Sequence, residues 1–314
     1  MAFFYLNISS VSRSAGRRAT ASAAYRAGER LRDERSGRVH DHRSRQDVLH
    51  TEIFVPEQVA AAALWTRDRA RLWNTAEHAE KRYNARVARE FQVTLPAELD
   101  GTQRIRLART FARELAERYR VAVDLAVHEP RAGGDPRNFH AHLLATTREV
   151  TPTGLGAKAG LDMHLTERRR RGLPDHRQEY FNVRERWAVL TNEALAAANL
   201  SERVDHRSLA AQGRDREPQP VIPLAALRGE RQGVRSDYAD LLRAQYRERV
   251  AQRLAQAAAP PVPAREPAAR DLEDVRREAR EAWLRQRAQA PVRETTAESG
   301  AEPVPTAGAD DHAL

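Results

Sequence analysis

The stretch VAVDLAVHEPRAGGDPRNFHAHLLATT, Val121 to Thr147, decides the fold. It holds two runs of alternating character joined by a segment with Gly133, Gly134 and Pro136. Alternation at period two marks a strand with one buried face, and Gly/Pro punctuation between two such runs marks a turn. In the first run Val121, Val123, Leu125 and Val127 share one face, and Asp124 and His128 share the other. In the second run His140 and His142 have the same parity and so the same face. A hairpin folded symmetrically about Gly134 sets position 128 opposite position 140, and directly opposed residues point to the same side of a sheet. His128, His140 and His142 then converge on a patch whose reverse side is core. Three converging imidazoles are a recognised metal-binding set that leaves positions open to water or substrate. An acid nearby, Asp124 or Glu90, is suited to orient a ligand imidazole.

The same alternation appears in FFYLNIS (Phe3 to Ser9), DVLHTEIFV (Asp47 to Val55) and ARVAREFQVTL (Ala85 to Leu95). Between the strands lie helical stretches: GRRATASAAYRAGERL, then PEQVAAAALWTRDRARLWNTAEHAEKR with Pro56 at its start, GTQRIRLARTFARELAERY, and RQEYFNVRERWAVLTNEALAAAN. The mixture predicts an α+β domain: an antiparallel sheet with helices on one face and the histidines on the other. The domain is expected to span residues 1–213. Residues 214–314 form a second region, opening with the linker-like REPQPVIPL. Residues 236–257 and 268–289 read as charged, exposed or partner-seeking helices. The closing APVRETTAESGAEPVPTAGADDHAL is polar and Pro/Ala-rich, the composition of a disordered tail.

The formal net charge is +9, and Lys81 and Lys158 are the only lysines, so the positive charge is nearly all arginine. The guanidinium fork suits phosphate, which points to an anionic partner, most simply nucleic acid. The run ERRRRG, with Arg168 to Arg171, is a candidate contact. The absence of cysteine excludes disulfides, thiolate zinc sites and cysteine nucleophiles. The apolar patch in MAFFYLNISSVSRSAG is short for a signal peptide, and no run is long enough to span a bilayer. A soluble, cytoplasmic protein without membrane insertion is expected.

A metal site on a basic protein suggests phosphodiester chemistry, and strand transfer through the protein needs a nucleophile. ATASAAYRAGERL offers Tyr25. Its helical neighbours Ala21, Ser22, Gly28 and Glu29 include no large apolar residue, unlike those of a core tyrosine. Arg17, Arg18 and Arg26 lie close by and are suited to hold a phosphate.

Four blocks in order resemble those of the MobA/MobL family of plasmid mobilisation relaxases. They are VSRSAGRRATASAAYRAGERL, LWNTAEHAEKRYNARVAREFQVTLPAEL, VHEPRAGGDPRNFHAHLLATTR and RERWAVLTNEALAAANLSERVDHRSLAAQG, within residues 1–213. The resemblance implies an endonuclease of the HUH class, with a palm-like sheet flanked by helices, that nicks single-stranded DNA at a plasmid transfer origin. It places the nucleophile at Tyr25 and the metal ligands at His128, His140 and His142. It implies Mg²⁺ or Mn²⁺, while three imidazoles would equally suit Zn²⁺. Glu90 or Asp124 would assist the tyrosine or a ligand; the family's second acid, two residues on, is here Gln92. The tail would serve an accessory origin-binding or coupling protein. Two other readings stand beside this one: a rolling-circle replication initiator of the same chemistry, and a non-catalytic origin-binding accessory protein.

Overall fold

The computed structural model describes residues 2–131, 133–258 and 272–288. In chain order the strands are β1 (Leu6–Ser12), β2 (Arg30–Arg32), β3 (Val39–Asp41), β4 (Val48–Phe54), β5 (Arg86–Thr94), β6 (Val123–His128), β7 (His140–Thr146), β8 (Arg148–Thr151) and β9 (Gly154–Lys158). The α-helices are α1 (Ala19–Ala27), α2 (Glu57–Ala60), α3 (Arg69–Ala79), α4 (Gly101–Tyr119), α5 (Leu165–Arg170), α6 (His176–Ala197), α7 (Leu224–Arg231), α8 (Asp237–Ala258) and α9 (Leu272–Ala288). The chain divides into two units, residues 1–218 and 219–314.

In the first unit five strands form one antiparallel sheet in the order β1-β5-β7-β6-β4. The long alternating segments all became strands of this sheet. Its core face carries Phe91, Val93, Leu125, Leu143 and Val127, all at or below 1% exposed. Against it lies α4, which opens with a capping box between Asp100 and Gln103 and sets Leu107, Phe111 and Leu115 along one stripe. α6 packs beside it, with the Trp187 and Phe111 rings 4.9 Å apart.

The histidine face is divided. α1 and α3 cover its far half, burying Leu72, Trp73, Ala23 and Ala24 against Ala88 and Leu144. The near half carries the triad. α1 stops at Gly28, whose left-handed backbone (φ 66°) closes the helix. A Cβ there would stand 3.2 Å from the Val48 side chain, so the glycine also lets α1 approach β4 closely.

Two local expectations differ from the structure. The segment from Pro56 to Arg82 is not one helix but α2, a 3-10 turn at Leu64–Arg67, and α3. Asp68 makes the break: its backbone is extended, and its side chain accepts from Arg71 N as the cap of α3. The short hairpins β2–β3 and β8–β9 were not anticipated, because three to five residues are too few to show a period.

In the second unit the expected charged helices are present as α8 and α9, preceded by α7. Arg243 of α8 pairs with Glu230 of α7 at 2.7 Å. The tail from Ala290 to Leu314 lies outside the described residues.

Candidate metal centre and nucleophile

The hairpin register is the one the turn required: His128 pairs directly with His140, and Ala126 with His142. The three rings stand 5.1–5.3 Å apart, centroid to centroid. One ligand atom from each lies within 4.8 Å of the others.

Each ring is held by one nitrogen, which leaves the other for a ligand. His128 Nε2 is 2.7 Å from the Arg26 carbonyl, His140 Nδ1 is 2.9 Å from the Asn138 carbonyl, and His142 Nδ1 is 2.7 Å from Glu90 Oε1. A nitrogen facing a carbonyl or carboxylate oxygen must donate, so it carries the proton, and the opposite nitrogen keeps its lone pair. The free lone pairs are therefore His128 Nδ1, His140 Nε2 and His142 Nε2. His128 Nδ1 is buried with no hydrogen-bond partner, an orphan that a metal ion would satisfy. Burial pushes the His128 imidazole down to about 3 and lowers His140 and His142 as well. All three rings stay neutral, the state a metal requires. The donor set and its orientation fit a divalent metal ion.

That burial has a pH consequence. In chelator, the unfolded chain takes up protons on these histidines below about 6.5, while in the folded chain burial holds His128 at about 3 and lowers His140 and His142, so the folded chain takes up fewer. Wherever the unfolded state binds more protons, stability rises with pH. The metal-free protein is therefore expected to lose stability steadily as pH falls from about 7 to 5. Urea titrations across that range check this; a stability that stays level or climbs as pH falls contradicts it.

Glu90 is the acid that reaches the triad. It lies on β5 opposite Leu144 and is 5% exposed. Burial opposes its ionisation, but the hydrogen bond from His142 and the Arg26 guanidinium outweigh this and hold its carboxyl at about 2. So deep an ionisation makes Glu90 a poor proton acceptor and a good orienter of His142. Gln92 lies directly opposite His142, so the row holds no second acid there.

Asp124 shares the histidine face but is not brought to the triad. It sits four residues before His128 on β6, where Arg69 (2.8 Å) and the Trp73 indole N–H (2.8 Å) hold its carboxylate. That placement corrects the expectation of a catalytic or ligand-orienting Asp124: it fastens α3 to the sheet. Asp124→Ala leaves Arg69 buried beside Glu29 alone and is expected to cost about 3–5 kcal/mol of stability. In the fraction that stays folded, metal binding should be unchanged. A variant as stable as wild type but unable to bind metal would return Asp124 to the site.

Tyr25 projects from α1 and is 39% exposed. Its neighbour Arg26 places it. The Arg26 carbonyl accepts a hydrogen bond from His128 Nε2, and the Arg26 side chain pairs with Glu90, which holds His142. One residue thus ties the helix of the tyrosine to two of the three imidazoles. Arg131 donates to the Tyr25 hydroxyl at 2.5 Å, and the Arg45 guanidinium lies 4.2 Å from its ring centre. Both arginines also pair with Asp47, at 3.4 and 2.5 Å.

Sequence reasoning missed Arg45, Asp47 and Arg131. Arg131 had a readable signal: it lies three residues after His128, in the loop of the triad hairpin. Arg45 and Asp47 had none, since the register of β4 decides their place. Of the run Arg168 to Arg171, the structure withdraws Arg168 as a candidate contact. Arg168 is 2% exposed and donates to the carbonyls of Pro174 and Gly160, while Arg170 and Arg171 pair with Glu167. At least Arg168 serves packing, not a ligand. His50 faces the other way from the triad: it opposes Val127 and pairs with Glu52, which Arg109 of α4 holds.

The sequence profile of the MobA/MobL family matches residues 17–232. The chain belongs to the MobA/MobL family. Among its relatives, mobilization protein MobL of Acidithiobacillus ferridurans is 40% identical over 255 residues, covering 74% of this chain and 64% of that protein. The probable mobilization protein MobA of Bifidobacterium longum is 31% identical over 264 residues, covering 74% of this chain and 45% of that one. The match thus spans less than two thirds of either relative's length. A solved structure from work on the molecular basis of vancomycin resistance transfer in Staphylococcus aureus superposes with a TM-score of 0.56 at 28% identity. It covers 66% of this chain and all of that one. This MobA/MobL chain has, among its described residues, no helix long and apolar enough to cross a membrane.

Proposed function

We propose that this chain is a relaxase: a metal-dependent nickase of single-stranded DNA that cuts at a plasmid transfer origin and keeps one end covalently on Tyr25. The observation that carries the proposal is the link through Arg26, which ties the helix of a partly exposed tyrosine to two of three imidazoles with lone pairs to spare. The mobilization names of the relatives support the same reading.

The Tyr25 oxygen attacks the scissile phosphorus, and the bond to the 3′ oxygen breaks. The phenol proton ends on the released 3′-hydroxyl. One phosphodiester is exchanged for another, so the free 3′-hydroxyl can attack back and reseal the strand. Arg131 holds the Tyr25 oxygen and supplies fixed positive charge where negative charge develops. Arg45 packs on the ring and fixes its direction. Glu90 and the carbonyls of Arg26 and Asn138 fix the three tautomers. His128, His140 and His142 would hold a divalent ion, Mg²⁺ or Mn²⁺ by family and Zn²⁺ equally by donor set, which when bound would supply Lewis-acid polarisation of a non-bridging phosphate oxygen.

The setting proposed is plasmid DNA in the cytoplasm. The chemistry is assigned to residues 1–213, and the charged helices beyond it to an accessory origin-binding or coupling protein. A chain ending at Gly213 is therefore expected to nick short oligonucleotides as fast as the full chain, and loss of nicking would move the boundary. The function itself is tested with labelled single strands spanning candidate origins, in Mn²⁺ or Mg²⁺, on denaturing gels. A protein-linked product confined to a transfer origin is expected. Cutting confined to a replication origin would make the chain a replication initiator, and binding without any covalent product would make it an accessory binder.

A further inference from the structure

Beside Tyr25, on the side of α1 that faces the β2–β3 hairpin, lies a recess of about 410 Å³ lined by Arg17, Arg18, Tyr25, Arg26, Arg38 and His40. Its charge is not balanced by the protein. Four guanidiniums line it. Glu90 takes Arg26 and, at 3.5 Å, Arg17; Asp33 takes Arg18 at 3.3 Å. Two carboxylates thus face four cations, and no ion-pair partner for the Arg38 side chain is present among the described residues. Two nitrogens on these walls are buried without a hydrogen-bond partner, Arg18 Nη1 and His40 Nε2. Buried polar atoms are nearly always satisfied, so an unpaired guanidinium nitrogen and an unpaired imidazole nitrogen on one recess mark a place for an acceptor that arrives from outside.

We propose that this recess is a second phosphate subsite, which holds the backbone phosphate next to the scissile one and so fixes the strand's register on Tyr25. The proposal rests on the nickase reading and adds to it a site formed by a different element, the β2–β3 hairpin. A phosphate oxygen accepts from Arg18 Nη1 and from the His40 ring, and Arg38 neutralises the charge from the open side. The scissile phosphate then meets Tyr25 with its neighbour already clamped, which is positioning rather than chemistry. Because only a phosphate is read there, the subsite carries no base preference.

The test uses the full chain in EDTA with fluorescein-labelled oligothymidine of twelve nucleotides. Arg38→Ala is expected to weaken binding about fivefold and to flatten the slope of log K against log salt by roughly 0.7, the value for one single-strand phosphate contact. His40→Ala is expected to weaken binding with little change of slope. Arg106→Ala, on α4 behind the sheet, removes the same charge as Arg38→Ala and should change neither. Arg18 is left intact because its pair with Asp33 also fastens the hairpin. On a strand that wild type cuts, single phosphates are then replaced by neutral methylphosphonates. One replacement beside the cut should cost wild type as much as Arg38→Ala does, and cost Arg38→Ala nothing more. Additive losses, or Arg38→Ala and Arg106→Ala behaving alike, would overturn the subsite. So would inorganic phosphate raising the melting temperature through Arg38 while oligothymidine binding ignores it, since the recess would then serve free phosphate. If wild type binds no single strand at all, the nickase reading fails with it; if wild type nicks and only the Arg38 effects are missing, the subsite alone fails.

Discussion

Tyr25→Phe is expected to abolish the covalent DNA–protein product while leaving the fold and the affinity for single-stranded DNA in place. The substitution removes one oxygen from a side chain that is 39% exposed. The hydrogen bond lost, from Arg131, is itself at the surface, and Arg131 keeps its contact with Asp47. Stability should change by no more than about 0.5 kcal/mol. Affinity should stay within about twofold, because the arginines that meet phosphate remain. The adduct has no other route unless a second tyrosine takes over. Tyr5 is the one to watch: it is 43% exposed, and its carbonyl pairs with Thr94, which lies opposite His140. Persistent adduct at the same site in Tyr25→Phe would move the nucleophile there.

The second large effect is on the metal. Wild type should gain about 2.7 kcal/mol of stability when the ion is present at a hundred times its dissociation constant. His142→Ala should lose nearly all of that gain, and adding His140→Ala should cost little more, because one missing ligand already disables a shared site. Unrelated surface histidines would give small, additive losses. His50→Ala is the control, since its ring lies on the opposite face of the sheet and pairs with Glu52. His128→Ala differs from the other two. Its ring is 1% exposed and donates to Arg26 of α1, so this variant should also melt lower in chelator, by roughly the 1–3 kcal/mol of a buried hydrogen bond left unmade. Full metal stabilisation in His128→Ala, with none in His50→Ala, would refute the ligand set.

The triad was legible because it depends on local rules alone. Parity along β6 and β7 and a turn centred at Gly134 are enough to bring His128 to His140. The core of α4 was legible for the same reason, from the spacing of Leu107, Phe111 and Leu115. What stayed hidden depends on distant pairing. Asp124 and Glu90 look alike as polar strand residues, and only the packing of α3 shows that Trp73 and Arg69 claim the first. The cover of α1 and α3 over half of the histidine face was hidden too. The alanines of α1 are small enough to lie close on the sheet, and small residues make no strong apolar stripe. Arg26 shows the same limit at one residue: its side chain had a visible charge, but the contact that positions the site includes its backbone carbonyl, which no sequence displays.

The most direct measurement is to trap the product and read where the DNA sits. The chain is incubated with a cleavable single strand and Mn²⁺, digested with nuclease and trypsin, and the nucleotide-bearing peptide is sequenced by mass spectrometry. The assembly of α1 on the triad through Arg26 predicts a phosphotyrosyl nucleotide on Tyr25 in the peptide Ala19–Arg26, formed with the metal and not in chelator. A nucleotide on any other residue, or an adduct on Tyr25 that forms equally well in chelator, would contradict it.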